Sequence, residues 1–295
     1  MPEGKILKAL SGFYYVADKE NNEIYQCRGR GIFRKNKITP LVGDYVVYQQ
    51  ENGHEGYILE IRERKNELVR PPIANVDQAV LVFSAKEPDF NTALLDRFLV
   101  SIESRHVHPL ILITKCDLLG EDEKKQLAET FDVYRKLGYP VILSSSKEQW
   151  GLDRLGPYLQ DKISVVCGQS GVGKTSMLNR LDPELRLKTN QISTHLGRGK
   201  HTTRHVELIP AAGGLVADTP GFSSLDFNEI DAYGLGDCFP EIAERAGACK
   251  FRGCLHLNEP HCAVKQAAGQ KEIASFRYDH YIQFLQEIQN RKPRY

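Results

Sequence analysis

A glycine-rich stretch in the middle of the chain has the spacing of a phosphate-binding loop. Residues 168–175 read Gly-Gln-Ser-Gly-Val-Gly-Lys-Thr, which fits G-x-x-x-x-G-K-[ST] without departure. An apolar run at 163–167 precedes the loop, and an apolar helix start at 177–178 follows it. Glycines allow backbone N–H groups to surround phosphate oxygens, and the helix N-terminus adds the positive end of its dipole. These residues therefore predict a nucleotide phosphate site.

Two side chains of this loop have the chemistry to bind a nucleotide together with its magnesium ion. Lys174 is expected to reach the β- and γ-phosphates, and the Thr175 hydroxyl is expected to bind Mg²⁺. The residues predicted to contact the nucleotide here are Gly168, Gln169, Ser170, Gly171, Val172, Gly173, Lys174, Thr175 and Ser176. The alternative is a chance glycine-rich turn, which the flanking strand and helix patterns disfavour.

An acidic residue follows another apolar run later in the chain. Asp218 comes directly after residues 215–217 and begins the sequence Asp-Thr-Pro-Gly. A carboxylate at a strand end near a phosphate loop suits Mg²⁺, usually through water. Gly221 has no side chain, so it can bring its N–H close to the γ-phosphate. The D-x-x-G pattern is common by itself, and its place after a strand favours this role.

A third segment has the residue types needed to recognise guanine. Thr114-Lys115-Cys116-Asp117 ends the apolar run 110–113. Asp117 would accept hydrogen bonds from guanine N1–H and the exocyclic amine, which adenine does not offer, and Lys115 would lie along the base. Thr114 stands where asparagine is usual, so one polar contact of the common pattern is left unexplained. Ser144 and Ser145 follow the next apolar run and would offer backbone N–H groups to the guanine oxygen, although serines after a strand are also ordinary turn residues.

The order of these segments is unusual. In an ordinary GTPase the phosphate loop comes first, whereas here the guanine-reading segment at 114–117 precedes the loop at 168–175. If both interpretations hold, the chain is a circularly permuted GTPase. Its γ-phosphate sensor at 218–221 then lies near the C-terminal end of the nucleotide-binding domain, next to whatever domain follows.

A basic segment between the phosphate loop and Asp218 is where a mobile switch loop is expected. Residues 197–204 read Gly-Arg-Gly-Lys-His-Thr-Thr-Arg, and Thr202 or Thr203 would complete the Mg²⁺ shell. Phe222 occupies the position where many GTPases have a glutamine that orients the attacking water, and a phenyl ring cannot do this. His201 is the candidate for that catalytic role. The alternative is a basic surface loop without chemistry.

Cysteine and histidine cluster near the C-terminus. Cys249, Cys254, His256 and Cys262 form C-x4-C-x-H-x5-C, a closed set of three thiolates and one imidazole that suits structural zinc. His261 is a rival ligand because it adjoins Cys262. The other cysteines stand alone and are expected to be packed thiols.

Composition places the chain among multi-domain globular proteins. It has 295 residues, 41% hydrophobic and 26% charged, with a formal net charge of +1. No apolar run approaches the roughly 20 residues of a membrane span, and the N-terminus lacks the layout of a secretory signal. We therefore expect a cytoplasmic monomer with no membrane contact. Basic residues concentrate at 24–43, at 185–206 and after 250, which favours an anionic polymer as partner, although charge blocks are often solvated faces.

The patterning predicts three domains. Residues 1–70 read as about five short strands, typical of an OB-type barrel that binds oligonucleotides, although an SH3-like barrel has the same pattern. Residues 71–225 alternate between strands and helices, as in a parallel α/β sheet, after a break at Pro71-Pro72. Residues 226–295 hold the cysteine cluster and a final helix from about 272 to 290. The fold class is thus multi-domain α/β.

Together, these motifs resemble the bacterial family of ribosome-dependent, circularly permuted GTPases (RsgA-, YjeQ- and YloQ-like) along essentially the whole chain. The resemblance rests on T-K-C-D, G-Q-S-G-V-G-K-T-S, G-R-G-K-H-T-T-R, D-T-P-G-F and C-x4-C-x-H-x5-C. It implies a late assembly factor that binds the 30S subunit with GTP, hydrolyses GTP to GDP when stimulated by the subunit, and leaves. It also implies an N-terminal OB-fold, a helical zinc-binding C-terminal domain, rRNA contacts by both, and catalysis by His201.

Two other readings stay open at this point. The chain could be an rRNA-binding assembly scaffold in which GTP orders the switch and hydrolysis matters little. It could also be another P-loop enzyme, such as a nucleoside kinase or an ATPase. GTP turnover measured with and without small subunits distinguishes the scaffold from a subunit-stimulated GTPase. The nucleotide preference of an Asp117→Asn variant distinguishes a GTPase from another P-loop enzyme.

Overall fold

The computed structural model describes residues 1–51, 53–69, 71–181, 206–218, 227 and 229–291, apart from the side chains of Arg34 and Asp218. The chain begins with a closed five-stranded barrel, as the strand pattern predicts. Its strands are β1 (Glu3–Leu10), β2 (Phe13–Asp18), β3 (Ile24–Gly29), β4 (Tyr45–Gln50) and β5 (Glu55–Ile61), with a short helix α1 (Gly31–Lys35) after β3. The strand order is 1-2-3-5-4, and β4 pairs with β1 to close the barrel. The parallel β3–β5 pair is a Greek-key crossover, as OB-type barrels have.

A nucleotide-binding type of sheet follows the barrel. After a small hairpin, β6 (Glu67–Val69) and β7 (Pro72–Ala74), come β8 (Gln78–Ser84), α2 (Thr92–Glu103), β9 (His108–Thr114), α3 (Glu121–Lys136), β10 (Val141–Leu143), α4 (Gly156–Leu159), β11 (Ile163–Cys167), α5 (Lys174–Leu181), β12 (Glu207–Ala211) and β13 (Gly214–Asp218). The order is β10-β9-β8-β11-β13-β12, and β12 is the antiparallel member. Strand β8 is buried at all seven positions, which explains the apolar run 79–83 between Gln78 and Ser84.

The break predicted at Pro71-Pro72 falls in a short hairpin. Pro72 begins strand β7, whose neighbour Ile73 is fully buried together with Leu68 of β6. Ile73 also forms a bridge to Val42 of the barrel. The two prolines therefore lie in a packed hairpin that joins the barrel to the sheet.

One sheet runs through both of these parts. Strand β12 pairs with β1 at Glu207 and Lys8, so the barrel continues the edge of the nucleotide-binding sheet into eleven strands. The Lys8 ammonium lies 3.0 Å from the Glu207 carboxylate across this junction. The barrel is thus attached to the strand that directly follows the predicted switch segment.

The described residues of the C-terminal part include three α-helices and the cysteine cluster. The helices are α6 (Pro240–Ala246), α7 (Ala263–Gly269) and α8 (Ser275–Gln289). They surround a separate apolar core that includes Phe239, Tyr281 and Phe284, and Phe227 packs into it from the end of the segment that follows Asp218. None of the described helices has the length and apolar character needed to cross a bilayer.

A buried ionic network joins α8 to the nucleotide-binding domain. The Arg277 guanidinium, only 1% exposed, donates to Asp96 of α2 at 2.6 Å and to Glu241 of α6 at 2.7 Å. Asp96 is fully buried and also accepts from the Tyr134 hydroxyl at 2.8 Å. Removing one partner of such a network leaves a buried charge unpaired and typically costs about 3–5 kcal/mol.

The burial of Arg277 corrects one sequence-based expectation. We predicted that the basic residues after 250 form a positive surface, but Arg277 lies inside the molecule between two carboxylates and stacks over the Phe239 ring at 4.6 Å. Its charge is therefore used within the protein and does not contribute to a surface for an anionic partner.

Candidate guanine nucleotide site and metal cluster

The phosphate loop follows buried strand β11 and leads directly into α5. Gly168, Gly171 and Gly173 have φ of +147°, +81° and +95°, which glycine adopts without strain. A Cβ at Gly168 would stand 2.1 Å from the Val82 carbonyl oxygen, so strand β8 approaches the loop too closely for a side chain. The glycine spacing thus produces a tight turn with its backbone available to phosphates.

The lysine of the loop lies over the turn. The Lys174 ammonium donates to the Gly168 carbonyl at 2.8 Å and also to the Gln169 carbonyl. Partial burial lowers the pKa of Lys174, because removal from water disfavours the charged form. A phosphate in the loop would compensate for this desolvation. Thr175 and Ser176 are exposed in the first turn of α5, where their hydroxyls can reach a ligand.

The guanine-reading segment follows β9 in the same sheet, with β8 between β9 and the strand β11 that carries the phosphate loop. Strands β8, β9 and β11 are parallel, so their carboxyl ends meet at one edge. Lys115 adopts a left-handed conformation (φ 56°) directly after β9, and its ammonium donates to the Glu87 carbonyl. Asp117 follows in a short 3₁₀ turn over Cys116–Leu118.

A serine orients the aspartate. The Ser145 hydroxyl donates to Asp117 Oδ1 at 2.6 Å and accepts the Glu148 N–H at 2.9 Å. The Ser145 backbone pairs with Trp150 through two bonds of 3.1 Å, which closes the loop beside the site. Ser144 is fully buried, and its hydroxyl donates to the Ile113 carbonyl, so its side chain supports β9. Both backbone N–H groups donate within the protein, Ser144 to the Ile113 carbonyl at 2.7 Å and Ser145 to the Trp150 carbonyl at 3.1 Å, and their predicted contact with guanine stays a prediction.

Thr114 connects the two halves of the site. Its buried hydroxyl lies 2.6 Å from the Val172 carbonyl of the phosphate loop and 3.1 Å from the Phe83 carbonyl of β8. The site of a Cβ on Gly173 would be 3.7 Å from the same hydroxyl. Thr114 stands where asparagine is usual. Its hydroxyl makes a polar contact with the phosphate loop.

Several predicted residues fall outside the described part of the chain. His201, Thr202, Thr203, Gly221 and Phe222 are among them, as is the Asp218 side chain. The Asp218 backbone ends β13, which runs parallel to β11 with Ala217 opposite Val165. Asp218 therefore leaves the sheet at the same edge as the phosphate loop. The roles of these residues stay predictions.

The four predicted metal ligands come together in the C-terminal part. The ligand atoms of Cys249, Cys254, His256 and Cys262 all lie within 4.8 Å of one another. Cys249 Sγ is 3.8 Å from Cys262 Sγ, and His256 Nδ1 is 3.5 Å and 3.3 Å from these sulfurs. Tetrahedral zinc with Zn–S bonds of about 2.3 Å places sulfurs about 3.8 Å apart, which matches. His261, the rival ligand, is not part of this group.

The surroundings of the cluster favour metal binding. Burial lowers the pKa of His256, which keeps the imidazole neutral as a metal ligand requires. Burial and the neighbouring thiols raise the pKa of Cys254 to about 12. The thiolate forms of the three cysteines therefore need a bound cation to stabilise them. Tyr278 and Tyr281 of α8 donate their hydroxyls to the His256 and Leu255 carbonyls at 2.7 and 2.9 Å. The cluster is therefore built to hold a metal ion.

Sequence reasoning missed three supporting contacts: the Thr114–Val172 bond, the Ser145–Asp117 bond and the Glu87 carbonyl beside Lys115. Each joins residues far apart in the chain, so no local pattern indicates them. Thr114 ends an apolar run, and a buried hydroxyl needs a hydrogen-bond partner, so its hydroxyl could have indicated the first of these contacts.

The fold and the site together define a class. A phosphate loop after β11 and a guanine-reading segment after β9, at the carboxyl ends of parallel strands and in reversed chain order, make this protein a circularly permuted P-loop GTPase. Models of two families match the chain: the RsgA GTPase over residues 61–228 and the RsgA N-terminal domain over residues 3–58. The chain belongs to the RsgA GTPase family of GTP hydrolases.

Similar proteins cover the whole chain. It is 64% identical over 296 residues to the small ribosomal subunit biogenesis GTPase RsgA of Bacillus velezensis and 63% identical over 298 residues to that of Bacillus subtilis, each fully covered. The crystal structure of YloQ, a circularly permuted GTPase, has a TM-score of 0.86 at 57% identity and covers 100% of this chain and 97% of its own. YjeQ from Thermotoga maritima has a TM-score of 0.88 at 36% identity, with 99% of each chain covered.

We predict that Asp117→Asn changes the nucleotide preference from GTP to xanthosine triphosphate. The carboxylate accepts two charge-assisted bonds worth about 1.5–3 kcal/mol each, so GTP affinity should fall by about a hundredfold or more. Xanthine has a carbonyl in place of the exocyclic amine and would accept from the new amide. Fluorescence of Trp150, the single tryptophan of the chain, offers the binding signal. Asp132→Asn on exposed α3 is the control, and a retained preference for GTP in Asp117→Asn would contradict the assignment.

Proposed function

We propose that this chain binds the small (30S) ribosomal subunit during its late maturation and hydrolyses GTP to GDP when that subunit stimulates it. The observation that carries the proposal is the 63–64% identity, over the full length of both chains, to proteins named small ribosomal subunit biogenesis GTPases. This work takes place in the cytoplasm, by a monomer. The proposed domains are residues 1–70 for the barrel, 71–225 for the GTPase and 226–295 for the metal-binding domain.

The barrel supports an RNA partner. Phe13, Arg28 and Tyr57 lie opposite one another on β2, β3 and β5, and Arg28 and Tyr57 are exposed. The Arg28 guanidinium lies 4.8 Å from the centre of the Phe13 ring. Aromatic rings and arginine planes on a barrel face stack with the bases of single-stranded nucleic acid. Basic residues of the segment 24–43 flank this row with no acid among them.

Each predicted site residue has a role in the proposed reaction. Lys174 and the backbone N–H groups of the phosphate loop bind the β- and γ-phosphates and withdraw charge toward the leaving group. Asp117, held by Ser145, accepts from guanine. Thr175 would hold Mg²⁺ together with Asp218 and with Thr202 or Thr203, and that ion would neutralise charge on the phosphate oxygens. Gly221 would donate to the γ-phosphate.

His201 would orient the attacking water, because Phe222 cannot. A GTPase that lacks the usual glutamine is slow alone, and the subunit would place the histidine by ordering the switch. The alternative is an RNA-binding scaffold in which GTP is a ligand alone. Single-turnover rates with and without subunits separate these readings.

We predict that purified small subunits raise GTP turnover and that His201→Ala removes most of this increase. A positioned proton-transfer group contributes about 10²–10⁴ in rate, so the stimulated kcat should fall about a hundredfold or more while GTP affinity is unchanged. His195→Ala, six residues earlier in the chain, is the matched control. The stimulation should weaken steeply with salt, with a log–log slope of roughly −0.7 to −0.9 per phosphate contacted. If His201→Ala keeps the stimulated kcat of the unmodified protein, the role assigned to His201 is excluded. If GTP turnover is the same with and without subunits, the scaffold alternative is favoured.

We further propose that the Cys249, Cys254, His256 and Cys262 cluster holds one structural zinc ion. Metal-replete protein should contain about one equivalent of zinc by elemental analysis. Cys262→Ser should lose it, because three ligands bind zinc far more weakly than four, and His261→Ala should retain it as the matched control. Less than half an equivalent in the unmodified protein would disprove the zinc assignment.

A further inference from the structure

A cavity beside the metal cluster has features that the GTPase reaction does not use. Its volume is about 470 Å³, which lies within the roughly 300–1,000 Å³ typical of small-ligand sites. Tyr233 and Phe251 both line it, and they are 68% and 44% exposed. Large aromatic side chains are costly to leave in water, so two of them around one cavity indicate a ligand with a flat apolar face.

The backbone holds Tyr233 in place. Asp231 Oδ1 accepts the N–H groups of Tyr233 and Gly234 at 3.0 and 2.7 Å, which fixes the turn that carries the ring. Gly253 has a φ of +69°, and a Cβ there would lie 3.2 Å from Tyr233 Cε1. The ring therefore lies against bare backbone on the opposite segment, and its position depends on glycine.

The charge around the cavity selects the kind of ligand. Lys250 and Arg252 line it, and neither makes an ion pair with any residue in the described ranges. The Lys250 ammonium lies 5.7 Å from the centre of the Phe251 ring. Asp237 is the acid among the lining residues, so the cations outnumber it. Flat rings next to unpaired cations suit a nucleotide of a polymer, with the base on the rings and phosphates on the cations.

We propose that this cavity binds one unpaired base of RNA, stacked on Tyr233 and Phe251, with the adjoining phosphates on Lys250 and Arg252. The proposal rests on the proposed RNA-bound function and adds the mode of contact, because a base inside a duplex has both faces covered by the neighbouring pairs. Three metal-cluster residues, Cys249, Cys254 and His256, also line the cavity, so metal binding would keep its shape.

The test uses the full-length protein with its zinc content checked for each variant. Tyr233→Leu and Phe251→Leu keep apolar bulk and remove the ring, and Tyr158→Leu, an exposed tyrosine of α4, is the matched control. The probes are an unstructured RNA of about ten nucleotides that contains 4-thiouridine, the same sequence as a blunt duplex, and small subunits. Binding is measured over a salt series, and cross-linked residues are mapped by mass spectrometry.

We expect each ring variant to weaken single-strand binding about tenfold, with cross-links to Tyr233 or Phe251 in the unmodified protein and little change for the duplex. Replacing Lys250 and Arg252 by methionine should reduce the salt slope by about 0.7 per lost phosphate contact. The proposal would be overturned if both ring variants keep the single-strand affinity of the unmodified protein and the cross-links map away from the cavity. It would also be overturned if the unmodified protein does not bind the single strand. If the cavity binds RNA as expected but small subunits leave GTP turnover unchanged, then the proposed function fails and the cavity assignment stands.

Discussion

The nucleotide site depends on the hydrogen bond between the Thr114 hydroxyl and the Val172 carbonyl. One end of this 2.6 Å bond belongs to the guanine-reading segment and the other to the phosphate loop, 58 residues later in the chain. Permutation moves chain ends but does not move the carboxyl ends of parallel strands, which meet at one edge of the sheet in either order. The bond is short and buried between the end of β9 and the phosphate loop, so it sets the spacing between base and phosphates independently of chain order.

The same reordering explains how the flanking parts are attached. Strand β12 follows the predicted switch segment and pairs with β1 of the barrel, with Lys8 and Glu207 side by side. On the other side, Phe227 follows the Asp218 segment and packs against both the Phe284 ring and the Arg97 guanidinium. The predicted switch segment is thus followed by a strand that pairs with the barrel. The Asp218 segment is followed by a residue, Phe227, that packs into the C-terminal part. The buried Arg277 network then makes the C-terminal part a single unit with α2.

Much of the fold could be predicted because its signals are local. Three features are predictable from neighbouring residues alone. They are the glycine spacing of the loop, the apolar run 79–83 of β8 and the C-x4-C-x-H-x5-C spacing. The remaining features are contacts between residues distant in sequence. Arg277 looks like a surface cation until Asp96 and Glu241 are seen around it, and the first strand, Glu3–Leu10, carries two lysines that hide its barrel role. The contact made by Thr114 could not be predicted because its partner, Val172, lies in another motif.

The most direct test of this account is the GTP affinity of Thr114→Val, which keeps the shape of the side chain and removes its hydroxyl. Loss of the bond leaves the Val172 carbonyl without this partner and should cost about 1–3 kcal/mol, or roughly tenfold or more in affinity. Thr130→Val is the matched control, since that hydroxyl donates only to the Gln126 carbonyl within its own exposed helix. The account predicts weaker GTP binding in Thr114→Val and none of this effect in the control. Equal GTP affinity in both variants would contradict it.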